Sequence, residues 1–248
     1  MKRALIAGAA TLGVLAALCS GAHAQAALDL ETGYVFPGYN DVRIPGDTGT
    51  LFSLSEDLNT DREFFFRGRV SYVVGEKHTF SILVAPLSVH AAGIARERIR
   101  FALVEFSANS FLKADYRFDS YRFTYRYRVY RSSRLDLGLG VTGKIRDAEI
   151  RVESGDAIGL KKNVGFVPLI NFHLAWVFAE PFSALLEGDA LAAPQGRAED
   201  VLLALCYRVD SQVSIKLGYR VLEGGADNDE VYTFSLFNYF AVGLLASF

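Results

Sequence analysis

The sequence predicts an all-β chain closed into an antiparallel up-and-down barrel that spans a membrane with about ten strands. Three observations predict it. Ser120 to Tyr130 alternates with period two: Tyr121, Phe123, Tyr125, Tyr127 and Val129 on one face, Ser120, Arg122, Thr124, Arg126 and Arg128 on the other. A soluble sheet would neither bury a row of arginines nor expose such a row of aromatics, whereas a barrel with lipid outside and a polar lumen needs both. The chain is 51% hydrophobic, with a mean hydropathy of +0.19. Beyond the N-terminal segment its apolar residues nevertheless alternate with charges, and no stretch reaches the roughly 20 apolar residues of a spanning helix. Lipid admits only helices and closed barrels, because every backbone N–H and C=O must be paired within the protein. Finally, Phe240, Val242, Leu244, Ala246 and Phe248 share one wholly apolar face of the last strand. In a soluble protein that face would invite aggregation.

The N-terminus reads as an export leader over residues 1–24. Lys2 and Arg3 form a basic start, Ala4 to Leu18 is apolar and uncharged, and Ala22-His23-Ala24 offers the small residues of a cleavage site. Leu18 stands before Cys19 where a lipoprotein would carry a small residue, which speaks against lipidation. Residues 25–248 then form the barrel domain. Of the two cysteines only Cys206 would survive cleavage, so no internal disulfide can form. With 28 Asp and Glu against 26 Lys and Arg, nothing suggests nucleic acid.

The remaining strands follow in order. Leu28 to Phe36 opens the barrel with Asp29 and Glu31 inward. Glu63 to Val74 turns Arg67, Arg69 and Ser71 inward, and His78 to Val89 follows the Gly75-Glu76-Lys77 turn. After Ser120 to Tyr130, the next strand alternates Leu135, Leu137, Leu139, Val141 and Ile145 with Asp136, Gly138, Gly140, Thr142, Lys144 and Arg146. Phe166 to Phe178 points Asn171 and His173 inward; Phe182 to Ala192 does so with Glu187 and Asp189. Val201 to Val209 precedes Val213 to Val221, which carries Lys216 and Arg220 inward, and the final strand starts near Val231. Short turns are expected at 75–78, 131–134, 180–182 and 209–212, and longer loops at 37–61, 91–115, 149–163, 193–200 and 222–230. Ile99 to Phe106 and Phe111 to Phe118 alternate weakly, as an outer hairpin or as two more membrane strands. Ten strands is the leading count, with eight or twelve as alternatives.

The C-terminus, with Phe248, Ala246 two residues before it and Gly243 five before it, resembles the assembly signal of Gram-negative outer-membrane β-barrels. Small barrels of that kind resemble the whole of 25–248. The resemblance implies a bacterial outer-membrane location, both termini in the periplasm, an even strand number, and contact with outer-membrane lipid, lipopolysaccharide and the barrel-assembly machinery. It does not select a function, because one barrel fold serves anchors, adhesins, channels and enzymes.

The candidate functional residues are the inward charges: Asp29, Glu31, Asp136, Glu187 and Asp189 against Arg67, Arg69, Arg122, Arg126, Arg128, Lys144, Arg146, Lys216 and Arg220. A ten-strand lumen is narrow, and unpaired charges in it are costly. The expected reading is therefore a non-enzymatic barrel with a charge-paired lumen, whose external loops, especially 37–61 and 91–115, meet surfaces or ligands. The alternative is a narrow anion-preferring channel lined by the excess arginine. A third reading is a lipid-A-directed hydrolase using Ser88 and His90, the one serine–histidine pair on a common face. The acidic run Asp227, Asn228, Asp229, Glu230 lacks the spacing of a calcium loop, and no cofactor or metal site is expected.

Overall fold

The computed structural model describes residues 25–194 and 196–248; the expected leader, 1–24, lies outside the described residues. The strands among the described residues are β1 (Gln25–Arg43), β2 (Phe52–Ser53), β3 (Asn59–Thr60), β4 (Glu63–Val74), β5 (His78–Ala85), β6 (Ser88–Ile94), β7 (Ile99–Phe101), β8 (Val104–Phe106), β9 (Phe111–Arg131), β10 (Leu135–Ser154), β11 (Ala157–Ala179), β12 (Phe182–Ala193), β13 (Gly196–Arg208), β14 (Val213–Asp227) and β15 (Tyr232–Ser247). Ten staves close an antiparallel barrel: β1, β4, β5 continued by β6, and β9 to β15, with β15 returning to β1. The closing pair runs from Ala27↔Ser247 to Arg43↔Tyr232. Closure joins the first and last staves, so the sheet as a whole has no free edge strand.

The outside is the apolar face. Leu139, Val141, Ile145, Phe166, Ile170, Leu203, Leu217 and Phe240 are among its exposed side chains, and Tyr127, Trp176, Phe178, Phe182 and Tyr207 gather towards the end with the tight turns. The opposite limit of the apolar band is drawn by cross-strand rows. Tyr121, Ile145 and Phe166 lie side by side on β9, β10 and β11; one step outward come Asp119, Asp147 and Val164, then Arg117, Glu149 and Lys162.

Three prolines interrupt barrel staves, and each marks a disturbed ladder, as expected for a residue without an N–H to donate. Register with β15 shifts at Pro37. Pro86 separates β5 from β6, yet Ala85↔Ser120 and Ser88↔Arg117 keep one register on β9. Beyond it β6 leaves β4 and pairs with β3. Next to Pro168, the β11–β12 ladder stops at Ile170↔Ala190. From there β11 continues to Ala157 paired only with β10, while β12 ends at Ala193, paired with Gly196 at the start of β13.

The loop lengths need correction. Residues 149–163 are a strand hairpin turning at Gly155 and Asp156. β14 runs to Asp227 and β13 starts at Gly196, so the expected loops at 222–230 and 193–200 shrink to turns. β1 reaches Arg43, and β6 and β9 take in both ends of the expected 91–115 loop. Cross-strand pairing beyond the membrane extends these staves past what lipid requires. Ile99 to Phe106 is a small hairpin, β7–β8, outside the barrel sheet, and Phe111 to Phe118 is the outer part of β9.

That hairpin roofs the barrel. Phe101 and Phe106 are buried with Phe52, Leu54 and Leu58 from the preceding loop against Val89, Leu112, Ile150 and Val152 of the wall. Backbone bonds tie the roof down, Ala102 N–H to Ile44 C=O (2.9 Å) and Thr50 N–H to Arg100 C=O (2.9 Å). The ideal Cβ at Gly159 would lie 2.8 Å from Phe101, so this glycine lets the roof seat against β11.

Candidate functional site: the lumen charges and the outer cavity

Beneath the apolar roof, the inward parity of six strands brings the charges together. Asp200 is the hub. Its carboxylate lies 2.9 Å from Arg67, 2.5 Å from Arg122 and 2.5 Å from Arg220. Arg220 also meets Glu31 at 2.8 Å. Lys216 donates to Asp29 (2.8 Å) and Glu31 (2.6 Å). Arg69 pairs with Glu187 (2.8 Å) and Arg122 with Asp189 (2.7 Å). Thr142 and Asn171 donate to the other Asp189 oxygen at 2.6 and 2.8 Å. Five carboxylates, Asp29, Glu31, Glu187, Asp189 and Asp200, thus face five cations, Arg67, Arg69, Arg122, Lys216 and Arg220. All except Arg69 are buried. Such a set is tolerable in a narrow lumen only because each charge has an opposite partner and further hydrogen bonds.

Asp29, Glu31 and Glu187 each bring one oxygen within 4.8 Å of the others. Lys216 bridges the first two, Arg220 also holds Glu31, and Arg69 pairs with the third, which leaves little charge to attract a metal ion.

Sequence parity missed Asp200, which fell in an expected loop. Extending the Val201–Val209 alternation back by one residue would have turned it inward. Of the residues named from sequence, Arg128 and Asp136 form a separate pair at 3.0 Å near the tight turns. His173 stands 3.5 Å from Glu187. Arg126, Lys144 and Arg146 have no ion pair among the described residues. Cys206 faces the lumen opposite Lys216 as a free thiol.

Ser88 and His90 project from the outer wall, exposed. Structure supplies the acid that sequence did not: Asp115, cross-strand from His90, lies 2.6 Å from its Nδ1. Ser88 makes no hydrogen bond to His90 among the described residues, and neither residue lines a cavity. The surrounding outer belt is polar. Arg117 joins Asp119 (2.8 Å) and Asp147 (3.1 Å), and the Lys162 ammonium, 2.9 Å away, with the Arg117 charge holds Glu149 below the usual carboxylate range.

Towards the outer end of the barrel lies a cavity of about 830 Å³, flanked by β10 and β11 on one side and by β12 to β15 on the other. Lys144 and Arg146 reach it from β10, Phe118 and Tyr116 from β9. Gly224 and Gly225 leave the far wall bare.

No family model matches the chain, and no curated protein matches its sequence. Solved structures do. The outer-membrane protease OmpT from Escherichia coli superposes with a TM-score of 0.58 at 8% identity, covering 90% of this chain and 97% of that one. This chain has the fold of an outer-membrane β-barrel. The transport unit of the autotransporter AIDA-I from Escherichia coli also matches, with a TM-score of 0.43 at 9% identity over 91% of this chain and 89% of that one. So does the attachment invasion locus protein Ail of Yersinia pestis, at 0.35 and 9% over 90% and 98%.

Proposed function

We propose that this chain is a non-enzymatic, non-conducting barrel of the outer membrane, with both termini periplasmic, that presents its outer rim and cavity to ligands. The observation that carries this reading is the hub at Asp200. Three guanidinium groups from β4, β9 and β14 converge on one buried carboxylate on β13, so side chains from opposite walls meet across the lumen. A channel needs an ion to find binding sites weak enough to leave; here the sites are already filled by the protein's own charges. The apolar roof adds a second barrier. The proposed orientation is supported by the start of β1 and the end of β15 lying at the end of the barrel with the tight turns, since short turns are the periplasmic ones in barrels of this kind.

The hydrolase reading has the His90–Asp115 pair in its favour, but a nucleophile needs its base within hydrogen-bond reach and a site that holds the substrate. The convex wall around Ser88 offers neither.

Planar-bilayer recording of the refolded barrel tests the proposal, with circular dichroism and heat-modifiable migration as controls for folding. The expected record is silent. Steady, anion-selective steps from folded protein would replace this reading with the channel.

A further inference from the structure

The outer cavity differs chemically from the network beneath it. In the network every cation has a carboxylate; in the cavity two have none. Lys144 is 2% exposed, and makes neither hydrogen bond nor ion pair among the described residues. Its Nζ stands 4.7 Å from the centre of the Phe118 ring. A cation over a ring face gains some attraction, far less than an ammonium loses when taken from water without a counter-charge. Arg146, one step outward on the same face, donates to Asn163 Oδ1 while its Nε is buried without a partner. Gly165, its cross-strand neighbour, makes room for it: a Cβ there would lie 3.1 Å from the guanidinium. Two adjacent cations therefore share one cavity with no ion pair of their own among the described residues; of the other charges lining it, Glu230 stands 3.7 Å from Lys161, Glu223 pairs with Arg197, and Asp229 lies in the turn between β14 and β15.

The wall beside them is open. From Leu169 outward β11 has no hydrogen-bonded neighbour on its β12 side, and β12 has none on its β11 side beyond Ala190. The cavity lining crosses this gap, with Phe166, Val167 and Pro168 on one flank and Leu191 and Ala193 on the other. The gap also has a defined height. Lys144 pairs with Val167 and Arg146 with Gly165, bracketing the Ile145–Phe166 row that ends the apolar band. The cations thus stand at the depth where lipid headgroups meet hydrocarbon, and the apolar flanks lie beside the chains.

We propose that the cavity binds the phosphate headgroup of a membrane lipid, with Lys144 and Arg146 as its counter-charges and the acyl chains leaving through the β11–β12 gap. This inference rests on the reading of the chain as a membrane-inserted barrel, but not on its lumen being silent. Phosphate supplies the several acceptor oxygens that an ammonium beside a guanidinium can engage.

Native mass spectrometry of the refolded barrel in detergent decides it. The probes are phosphatidic acid, the diacylglycerol with the same chains, and inorganic phosphate. Wild-type protein should retain phosphatidic acid at least about tenfold better than diacylglycerol, a difference of about 1.4 kcal/mol. Inorganic phosphate at equal concentration should displace little of it. Lys144→Met should bring the two lipids to within about twofold of each other. Leu191→Trp, which obstructs the gap and leaves both cations in place, should lower phosphatidic acid retention as well. Equal retention of the two lipids by wild type would overturn the proposal, and that comparison needs no variant to fold. So would inorganic phosphate binding as tightly as the lipid, which would mark a free-anion site, or undiminished retention by folded Leu191→Trp. A conducting barrel that still prefers phosphatidic acid would refute the closed-lumen reading alone.

Discussion

Lys216 reaches the carboxylates of β1 by passing over Gly243. The two are cross-strand partners on β14 and β15, and Gly243 is in turn the partner of Glu31 on β1. The aliphatic stem of Lys216 crosses the whole width of β15, and a Cβ on Gly243 would lie 2.5 Å from its Cε and 2.8 Å from the Leu30 carbonyl oxygen. A residue read from sequence as part of an assembly signal thus has a separate task inside the barrel.

Gly243→Ala separates those two tasks. Refolded in micelles without assembly machinery, the variant should lose roughly 1–3 kcal/mol, the usual range for overpacking a tight interior. The Leu30 oxygen belongs to backbone and cannot swing aside. Urea unfolding measures the loss. Unchanged stability in micelles, with impaired assembly in cells, would leave only the signalling role.

Asp200→Ala removes the hub and leaves Arg67, Arg122 and Arg220 facing one another. Breaking a buried pair from one side costs about 3–5 kcal/mol, so the urea midpoint should fall sharply. Arg117→Ala, on the exposed outer belt, should change stability by less than about 1 kcal/mol. Similar effects for the two substitutions would mean that the lumen is wet enough to screen its charges.

Deleting Phe248 should act on assembly and spare stability. Its ring is exposed, and the residue contributes one backbone hydrogen bond, to the Ala26 carbonyl at 2.8 Å. The loss in micelles should stay within about 1 kcal/mol, while the amount of heat-modifiable barrel in the membrane should drop severalfold. Normal membrane levels of the truncated chain would dismiss the terminal signal.

His90→Ala should leave lipid A unaltered. The variant and the wild type, expressed side by side in a strain with a defined lipid A, should give matching lipid A mass spectra, both equal to the empty-vector control. Deacylated lipid A that appears with wild type and vanishes with the variant would restore the hydrolase and make Asp115 its orienting acid.

Period-two alternation by itself determined the barrel, its inward and outward faces and most of its inward charges, because parity is a local property that tight turns preserve from strand to strand. Arg122, Glu187 and Lys216 were assigned to the lumen on that ground alone. Tertiary structure decided which charge meets which. Asp200 meets arginines 133, 78 and 20 residues away, and no local pattern ranks such partners. The outer cavity was least visible. Lys144 and Arg146 have the same parity as Arg122 and looked like members of one network; their height on the barrel leaves them without an ion pair among the described residues. Pro168 did carry a local signal, a missing N–H in the middle of a strand. What the chain makes of it, an opening in the wall beside Lys144 and Arg146, depends on how far β12 runs before it ends, and that is set by strand pairing across the closed barrel.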